Sequence, residues 1–208
     1  MTTPVNVAVI YYSSTGTTHD MAERLSQTAD KAGAEVRLRQ VAELAPDEVV
    51  SSVEAWAQHR ERTKDLPVAT PDDVVWADVV LLGSPTRFGN VASQLKQFIV
   101  TLGPQWGQGL LANKVYAGFT SSQTAHGGQE STLLALYNTI HHFGGLIVSP
   151  GYTDPVKFED GNPYGVGHVT GPDNDEELGS PELNALDHLA ERAVEVARKL
   201  KAGENGQA

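Results

Sequence analysis

The chain has 208 residues, of which 26 are acidic and 15 basic, so its formal net charge is −11 and its pI is near 5.0. This length predicts one domain with a sizeable core, the acidic balance excludes a nucleic-acid partner, and the absence of cysteine excludes disulfides, thiolate catalysis and iron–sulfur clusters. Because no run reaches about 20 apolar residues and no signal-peptide pattern is present, we expect a cytoplasmic protein with no integral membrane segment.

The first elements of the chain form a strand–helix–strand pattern. Residues Val5–Tyr11 are a short apolar run rich in β-branched side chains, which predicts a strand buried on both faces. A polar loop follows, and apolar residues then recur at helical spacing from Met21 until Gly33 ends the helix. Residues 35–39 alternate between charged and apolar, as expected of a half-exposed edge strand. This order predicts parallel pairing of the two strands.

The rest of the chain continues the alternation of strands with helices, and a charged helical segment lies around Trp56. Three more apolar runs predict strands, at residues 78–84, 114–120 and 146–148. Helical periodicity marks three further segments, at residues 95–102, 133–140 and 186–200. We therefore predict a doubly wound α/β sheet of five parallel strands with helices on both faces. It would form a single domain over residues 1–202, followed by a flexible tail at 203–208.

Charge is distributed unevenly along the chain. Residues Val79–Thr153 contain one acid, whereas Asp154–Glu195 contain 11. Burial of core strands would explain the scarcity of acids in the first of these stretches, and so would a site for an anionic, aromatic ligand or an oligomer interface. The segment 153–180 has no regular hydrophobic period. We expect the acids of Asp154–Glu195 to face solvent, away from any anion site.

Doubly wound sheets bind ligands outside the carboxyl ends of their strands, in the loops that follow them. The loop after the first strand, residues 13–18, combines small polar side chains and Gly16 with the free backbone amides at the start of a helix, and this combination binds phosphate. No lysine accompanies these residues, which excludes a Walker A site. The alternative interpretation is a capping box of Thr17 and Asp20, which needs no ligand.

Several motifs, in the same order along the chain, resemble one family. The Ser-x-Thr-Gly-x-Thr loop at residues 13–18 resembles the phosphate loop of flavodoxins, and Pro-Thr-Arg-Phe-Gly-Asn at 85–90 resembles the signature of the WrbA family of NAD(P)H:quinone oxidoreductases. Further similarities lie at Gly127–Glu130, His141–His142, Pro150–Tyr152 and Asn162–Gly165, and in the helical segment around Trp56. The resemblance runs from about Val5 to Leu200. It implies a flavodoxin-like fold with strand order 2-1-3-4-5 that binds FMN.

The resemblance also implies roles for individual residues, beginning with three loops that would contact FMN. Their residues are Ser13, Ser14, Thr15, Gly16, Thr17 and Thr18; Pro85, Thr86, Arg87, Phe88, Gly89 and Asn90; and Ser121, Ser122, Gln123, Thr124, Ala125, His126 and Gly127. His141 would reach the flavin across a subunit boundary and serve as a proton source for the reduced quinone. Trp106 and Thr15 would contact the substrate, although Thr15 stands where many relatives carry a bulky Tyr, which would weaken its contact with the nicotinamide. The loop at 121–127 departs from the commoner family pattern, and no metal site is predicted.

The implied activity is the two-electron reduction of quinones through FMN. NADH or NADPH would pass a hydride to the flavin and leave, and the quinone would then take the same place, which predicts ping-pong kinetics. The family is tetrameric, so the resemblance implies a homotetramer. The alternative is a flavodoxin-type one-electron carrier, which would need no substrate pocket and neither Trp106 nor His141.

Overall fold

A mostly parallel sheet forms the centre of residues 4–205, which are the residues that the computed structural model describes. Its strands are β1 (Asn6–Tyr11), β2 (Glu35–Gln40), β3 (Val79–Arg87), β4 (Asn90–Val91), β5 (Val115–Ser122), β6 (Leu146–Ile147) and β7 (Val166–Val169). Neighbouring strands follow the order β2-β1-β3-β5-β6, and every pair along this path is parallel. The predicted flavodoxin-like order is confirmed, since β4 is a short addition that pairs antiparallel with the end of β3.

Helices cover both faces of this sheet, as predicted. They are α1 (Thr17–Lys31), α2 (Asp47–Ser51), α3 (Glu54–Thr63), α4 (Pro71–Trp76), α5 (Ser93–Thr101), α6 (Gly103–Gly107), α7 (Gln129–Phe143), α8 (Val156–Asp160) and α9 (Ser180–Asn205). Apolar side chains of α1 and α9 form the core on one face, and those of α4, α5 and α7 form it on the other. The central strands supply side chains to both clusters, which is why their sequences are apolar throughout.

The fifth position of the sheet is occupied by two short strands rather than by one. β6 pairs with the first residues of β5, Val115 and Tyr116, and β7 pairs with the last four, Phe119–Ser122. The chain between them leaves the sheet and forms α8 before it returns. The sequence predicted only an irregular segment over 153–180, because a strand of four residues so far from its partner gives too weak a periodic signal.

The segment between β2 and β3 contains three helices, where the sequence predicted one around Trp56. α2 and α3 are separated at Val53, whose backbone is extended (φ −118°, ψ 106°). α4 begins after Thr70, whose backbone N and Oγ1 both donate to Asp73 Oδ2 at 3.0 Å. These bonds, together with a proline in the first turn, are a recognised N-terminal capping arrangement. The sequence did not predict α4, because the segment 70–76 is short.

The end of the chain differs in part from the predicted tail at 203–208. α9 continues to Asn205, so the first three residues of that segment extend the helix, and 206–208 lie outside the described residues. Within residues 4–205, no helix is long and apolar enough to cross a membrane.

Candidate functional site

A cavity of about 420 Å³, called the flavin cavity below, lies at the carboxyl ends of β1, β3, β5 and β7. Its wall includes residues from all three loops that the sequence predicted to hold a ligand. The lining residues are Ser13, Ser14, Thr15, Thr17, Thr18, Pro85, Thr86, Arg87, Ser121, Ser122, Gln123, Thr124, Gly127, Thr170 and Asn174. This end of the sheet is where open α/β folds bind ligands.

The segment that leads from β1 into the first turn of α1, residues 13–18, is called the phosphate loop. Gly16 is the N-cap of α1, with φ 120° and ψ −36°, and no side chain of the described residues caps this helix. The alternative of a capping box between Thr17 and Asp20 is therefore wrong. Ser13 Oγ accepts a hydrogen bond from Gly16 N at 3.1 Å, which closes the loop on itself. The amides of the first turn of α1 are left for an anion, which the helix dipole also favours.

The loop after β3 is a tight hairpin into β4. Phe88 and Gly89 form its turn, and both have positive φ, 54° and 76°. A Cβ at Gly89 would lie 2.8 Å from Ser131 Oγ, so this position requires glycine. Residues 85–87 line the flavin cavity, whereas residues 88–90 lie outside its wall. The side chain of Phe88 is fully exposed.

Hydrogen bonds fix this hairpin against the rest of the cavity wall. Thr86 Oγ1 accepts a bond from Thr132 Oγ1 of α7 at 2.8 Å and donates to Gly127 O at 3.4 Å. Arg87 Nη2 lies 3.4 Å from Ser14 Oγ, so its charge stands beside the phosphate loop at the mouth of the cavity. Thr86 thus positions the wall, and Arg87 supplies a cation there.

The loop after β5 forms the opposite side of the flavin cavity. Residues 121–124 and Gly127 line it, whereas Ala125 and His126 are exposed and lie outside the wall. Ser121 Oγ is 3.1 Å from Thr18 Oγ1, which ties this loop to the first turn of α1. The loop after β5 is therefore anchored to the phosphate loop.

Two residues of the wall, Thr170 and Asn174, were not expected from the sequence. Thr170 follows β7, and its backbone N donates to Ser122 O at 2.8 Å. Asn174 Nδ2 donates to Thr15 Oγ1 at 2.8 Å. Their roles depend on β7 pairing with β5, so missing that strand meant missing both residues.

The loop that follows β7, residues 173–177, is called the acidic loop, and its position corrects the expected separation of acids from the anion site. Its side chains are exposed to solvent, as predicted. However, residues 175–177 share a surface depression with Thr15, Thr17 and Asp20. The acidic loop therefore lies against the phosphate loop rather than away from it.

His141 and Trp106 lie far from the flavin cavity of their own chain. α7 starts beside the cavity and runs back towards the amino ends of the strands, so His141, the thirteenth residue of this helix, is about 18 Å along it from the start. Trp106 is half-exposed, and its Nε1 donates to His142 O at 2.7 Å. The structure thus brings Trp106 against the backbone of His142, at the end of α7 that lies away from the cavity.

A cluster of buried titratable side chains lies behind the phosphate loop. Tyr11 Oη is 2.5 Å from His19 Nδ1, and the ring centroid of His19 is 5.3 Å from that of His59 on α3. Burial lowers the pKa of His19, and burial together with neighbouring His19 and Arg62 lowers the pKa of His59 to about 4. His59 is therefore neutral near pH 7.

These features fit a phosphorylated flavin. Free amides and hydroxyl groups of the phosphate loop suit a phosphate, and the loops after β3 and β5 bound a space for a planar ring system. A Cβ at Gly127 would lie 2.6 Å from Ser122 Cβ, so the second of these loops requires glycine to pass so close to the strand. The donor set and the shape are those that FMN needs.

A family model and individual relatives both match most of this sequence. The sequence model described as NADPH-dependent FMN reductase matches residues 5–153. An NAD(P)H dehydrogenase (quinone) of Deinococcus radiodurans is 46% identical over 201 residues, which cover 96% of this chain and 99% of that protein. A protein of the same name from Rhizobium rhizogenes is 38% identical, and the match covers 94% of this chain and 98% of the relative.

Solved structures show the same fold. A WrbA-like flavodoxin from Agrobacterium tumefaciens matches with a TM-score of 0.66 at 25% identity, over 94% of this chain and 98% of that one. A flavodoxin from the domain Archaea matches with a TM-score of 0.58 at 15% identity, over 93% of this chain and 99% of that one. The second likeness bears on the fold alone.

Proposed function

The chain belongs to the family of NADPH-dependent FMN reductases, and on this premise we propose that it acts as an NAD(P)H dehydrogenase (quinone). It is an oxidoreductase with FMN as cofactor and NADH or NADPH as co-substrate. The observation that carries the assignment is the flavin cavity of about 420 Å³, enclosed by the loops after β1, β3 and β5. When bound, FMN supplies the transfer of two electrons from a nicotinamide to a quinone.

The protein's own residues bind and orient the cofactor in this proposal. The phosphate loop holds the phosphate through backbone amides and hydroxyls. Thr86, fixed by its bond with Thr132 of α7, sets the wall on one side of the ring, and residues 121–124 set the wall on the other. Arg87 places a positive charge at the mouth, where it favours a reduced flavin that has gained negative charge.

The nicotinamide and the quinone are both planar, and both would stack on the same exposed face of the ring. The first must therefore leave before the second enters, which gives ping-pong kinetics. We assign Thr15 to the substrate side, since this residue lines the flavin cavity. The proposed location is the cytoplasm, where NADH and NADPH are available.

A homotetramer is part of the proposal, because it gives His141 and Trp106 a flavin to act on. Both residues lie at the amino ends of the strands, so they would contact the flavin cavity of another subunit rather than their own. Phe88 supports the same arrangement, since a fully exposed phenyl ring in a left-handed turn gains burial when a second chain covers it. His141 would then stand where it can donate a proton to the reduced quinone.

Steady-state kinetics with the full chain test the proposed function. Chain stripped of flavin should oxidise NADH or NADPH with benzoquinone only after FMN is added back. Double-reciprocal plots at several quinone concentrations should be parallel. Activity without FMN would contradict the role of the cofactor, and intersecting lines would contradict the shared substrate site.

A further inference from the structure

The phosphate loop has no cationic residue of its own, although carboxylates surround one side of it. Asp20 stands in the first turn of α1, and residues 175–177 of the acidic loop share a depression with Thr15 and Thr17. Each of these carboxylates opposes the approach of a dianionic phosphate. Arg87 lies beside Ser14 on the other side of the loop, so a counter-ion for Asp20 has to come from another element of the fold.

Helix α3 brings a cation to that side. Arg62 Nη2 lies 2.9 Å from Asp20 Oδ1, and a Cβ built at Gly16 would lie 3.2 Å from the same nitrogen. The guanidinium therefore stands against the backbone of the phosphate loop at the N-cap of α1, while it pairs with the nearest carboxylate. About half of each side chain in this pair is exposed (53% for Arg62 and 47% for Asp20). Arg62 does not line the flavin cavity, so its effect on a ligand would pass through Asp20.

The position of this guanidinium is defined by the packing of the helix that carries it. His59, one turn earlier on α3, is buried and packs on His19 of α1. Trp56 Nε1 and Tyr12 Oη both donate to Glu43 Oε2, at 3.1 and 2.9 Å. Because Tyr12 directly precedes the phosphate loop, α3 and the loop are fixed to the same strand end.

We propose that Arg62 is the counter-ion of Asp20 beside the phosphate loop, where it cancels the carboxylate that would otherwise repel the terminal phosphate, so that the chain selects FMN over riboflavin. The inference rests on the proposed function, because it takes FMN as the ligand. It gives the helical segment between β2 and β3 a role in cofactor selection. A guanidinium suits this role, since it stays charged at every working pH.

A metal ion is the competing occupant of the same corner of the molecule. His19, Asp20 and Glu23 place ligand atoms within 4.8 Å of one another. Arg62 argues against an ion, because its guanidinium pairs with Asp20 and lies 3.5 Å from His59 Nδ1. A second cation placed there would be repelled.

Flavin binding by the full chain tests the proposal. Dissociation constants for FMN and riboflavin are measured by flavin fluorescence for wild type, Arg62→Gln, Arg62→Lys and Arg60→Gln. We expect Arg62→Gln to weaken FMN binding about tenfold and riboflavin binding less than about twofold, and Arg62→Lys to keep most of the FMN affinity. Arg60→Gln is the matched control, because Arg60 lies on the same helix but pairs with Asp47 at 2.7 Å, and it should bind both flavins as wild type does.

Three outcomes would overturn the assignment of Arg62. In the first, Arg62→Gln keeps the wild-type ratio of FMN to riboflavin affinity, whether both constants are unchanged or both weaken equally. In the second, Arg62→Lys loses as much FMN affinity as Arg62→Gln. In the third, EDTA lowers the FMN affinity of wild type to that of Arg62→Gln, which would assign the corner to a metal ion. A wild-type chain that binds no FMN would instead contradict the proposed function itself.

Discussion

Gly16 determines the backbone path of the phosphate loop. Its φ of 120° lies where L side chains are strained, and an added Cβ would meet Arg62 Nη2 at 3.2 Å. We expect Gly16→Val to abolish retention of FMN, measured as the flavin absorbance that remains with the chain after desalting. Gly33→Val is the control, because Gly33 also has positive φ (80°) but nothing within 4 Å of an added Cβ. Both variants should lose about 1–3 kcal/mol of stability, and normal FMN retention in Gly16→Val would contradict the loop assignment.

His59 makes the free energy of unfolding depend on pH. Its pKa is lowered from 6.5 to about 4, chiefly by burial, so the unfolded state binds the proton more readily than the folded state. The stability due to neutral His59 is present above pH 6.5 and is lost as the pH falls towards about 4. We expect wild type to lose roughly 1–3 kcal/mol more than His59→Gln across this interval.

Urea unfolding of the flavin-free chain at fixed ionic strength measures this difference. His126→Gln, at an exposed loop position, is the control for the substitution itself. Carboxylates also titrate near pH 4, but their contribution is common to all three proteins and cancels in the comparison. Identical profiles for wild type and His59→Gln would contradict a buried, neutral histidine.

At the scale of elements, the chain between β6 and β7 depends on a buried ion pair. Lys157 on α8 is fully buried, pairs with Asp160 and donates to Gly165 O at 2.9 Å. Removing one partner leaves an uncompensated buried charge, so Lys157→Met should cost about 3–5 kcal/mol. Urea unfolding measures the loss. Lys199→Met removes an exposed pair on α9 and should change little, and an equally small effect of Lys157→Met would contradict the structural role of the pair.

The elements that the sequence predicted are those with strong local periodicity. The run Val5–Tyr11 and the helix that follows it are recognisable from side-chain spacing alone, and the sheet order followed from the motifs at 13–18 and 85–90. β7 was missed because its four residues form a strand only through their pairing with β5, which lies more than 40 residues earlier in the chain.

The wall of the flavin cavity was predicted from the sequence in part. The wall residues from the three loops were found through their motifs, whereas Asn174 was missed, since its contact with Thr15 spans 159 residues. Arg62 was missed for a similar reason: nothing in the charged segment around Trp56 indicates which of its cations faces α1. Contacts made across the fold leave no spacing pattern in the sequence.

At the scale of the whole molecule, the flavin cavity lies far from the Trp106–His142 contact of the same chain. A complementation experiment tests whether neighbouring subunits share a site. Gly16→Val should lack FMN but keep Trp106 and His141, whereas a Trp106→Ala/His141→Ala chain should keep FMN but lack both side chains. If neighbouring subunits complete each site, refolding the two inactive variants together should restore part of the quinone reductase activity. Refolding each variant alone provides the control.

The proposed homotetramer would contain four chains of 22.3 kDa each. Light scattering after size exclusion should report a tetramer for wild type and for the mixed sample. A monomer at every usable concentration, or a tetramer that shows no complementation, would contradict the shared site.

Anaerobic stopped-flow spectroscopy of the FMN-loaded chain tests the central claim most directly. We predict that one equivalent of NADH or NADPH rapidly bleaches the flavin absorbance near 450 nm, a general property of flavins on reduction, and that one equivalent of benzoquinone then restores it completely. Negligible reduction by either nucleotide, together with reduction by dithionite in two separate one-electron steps, would contradict the account and identify an electron carrier.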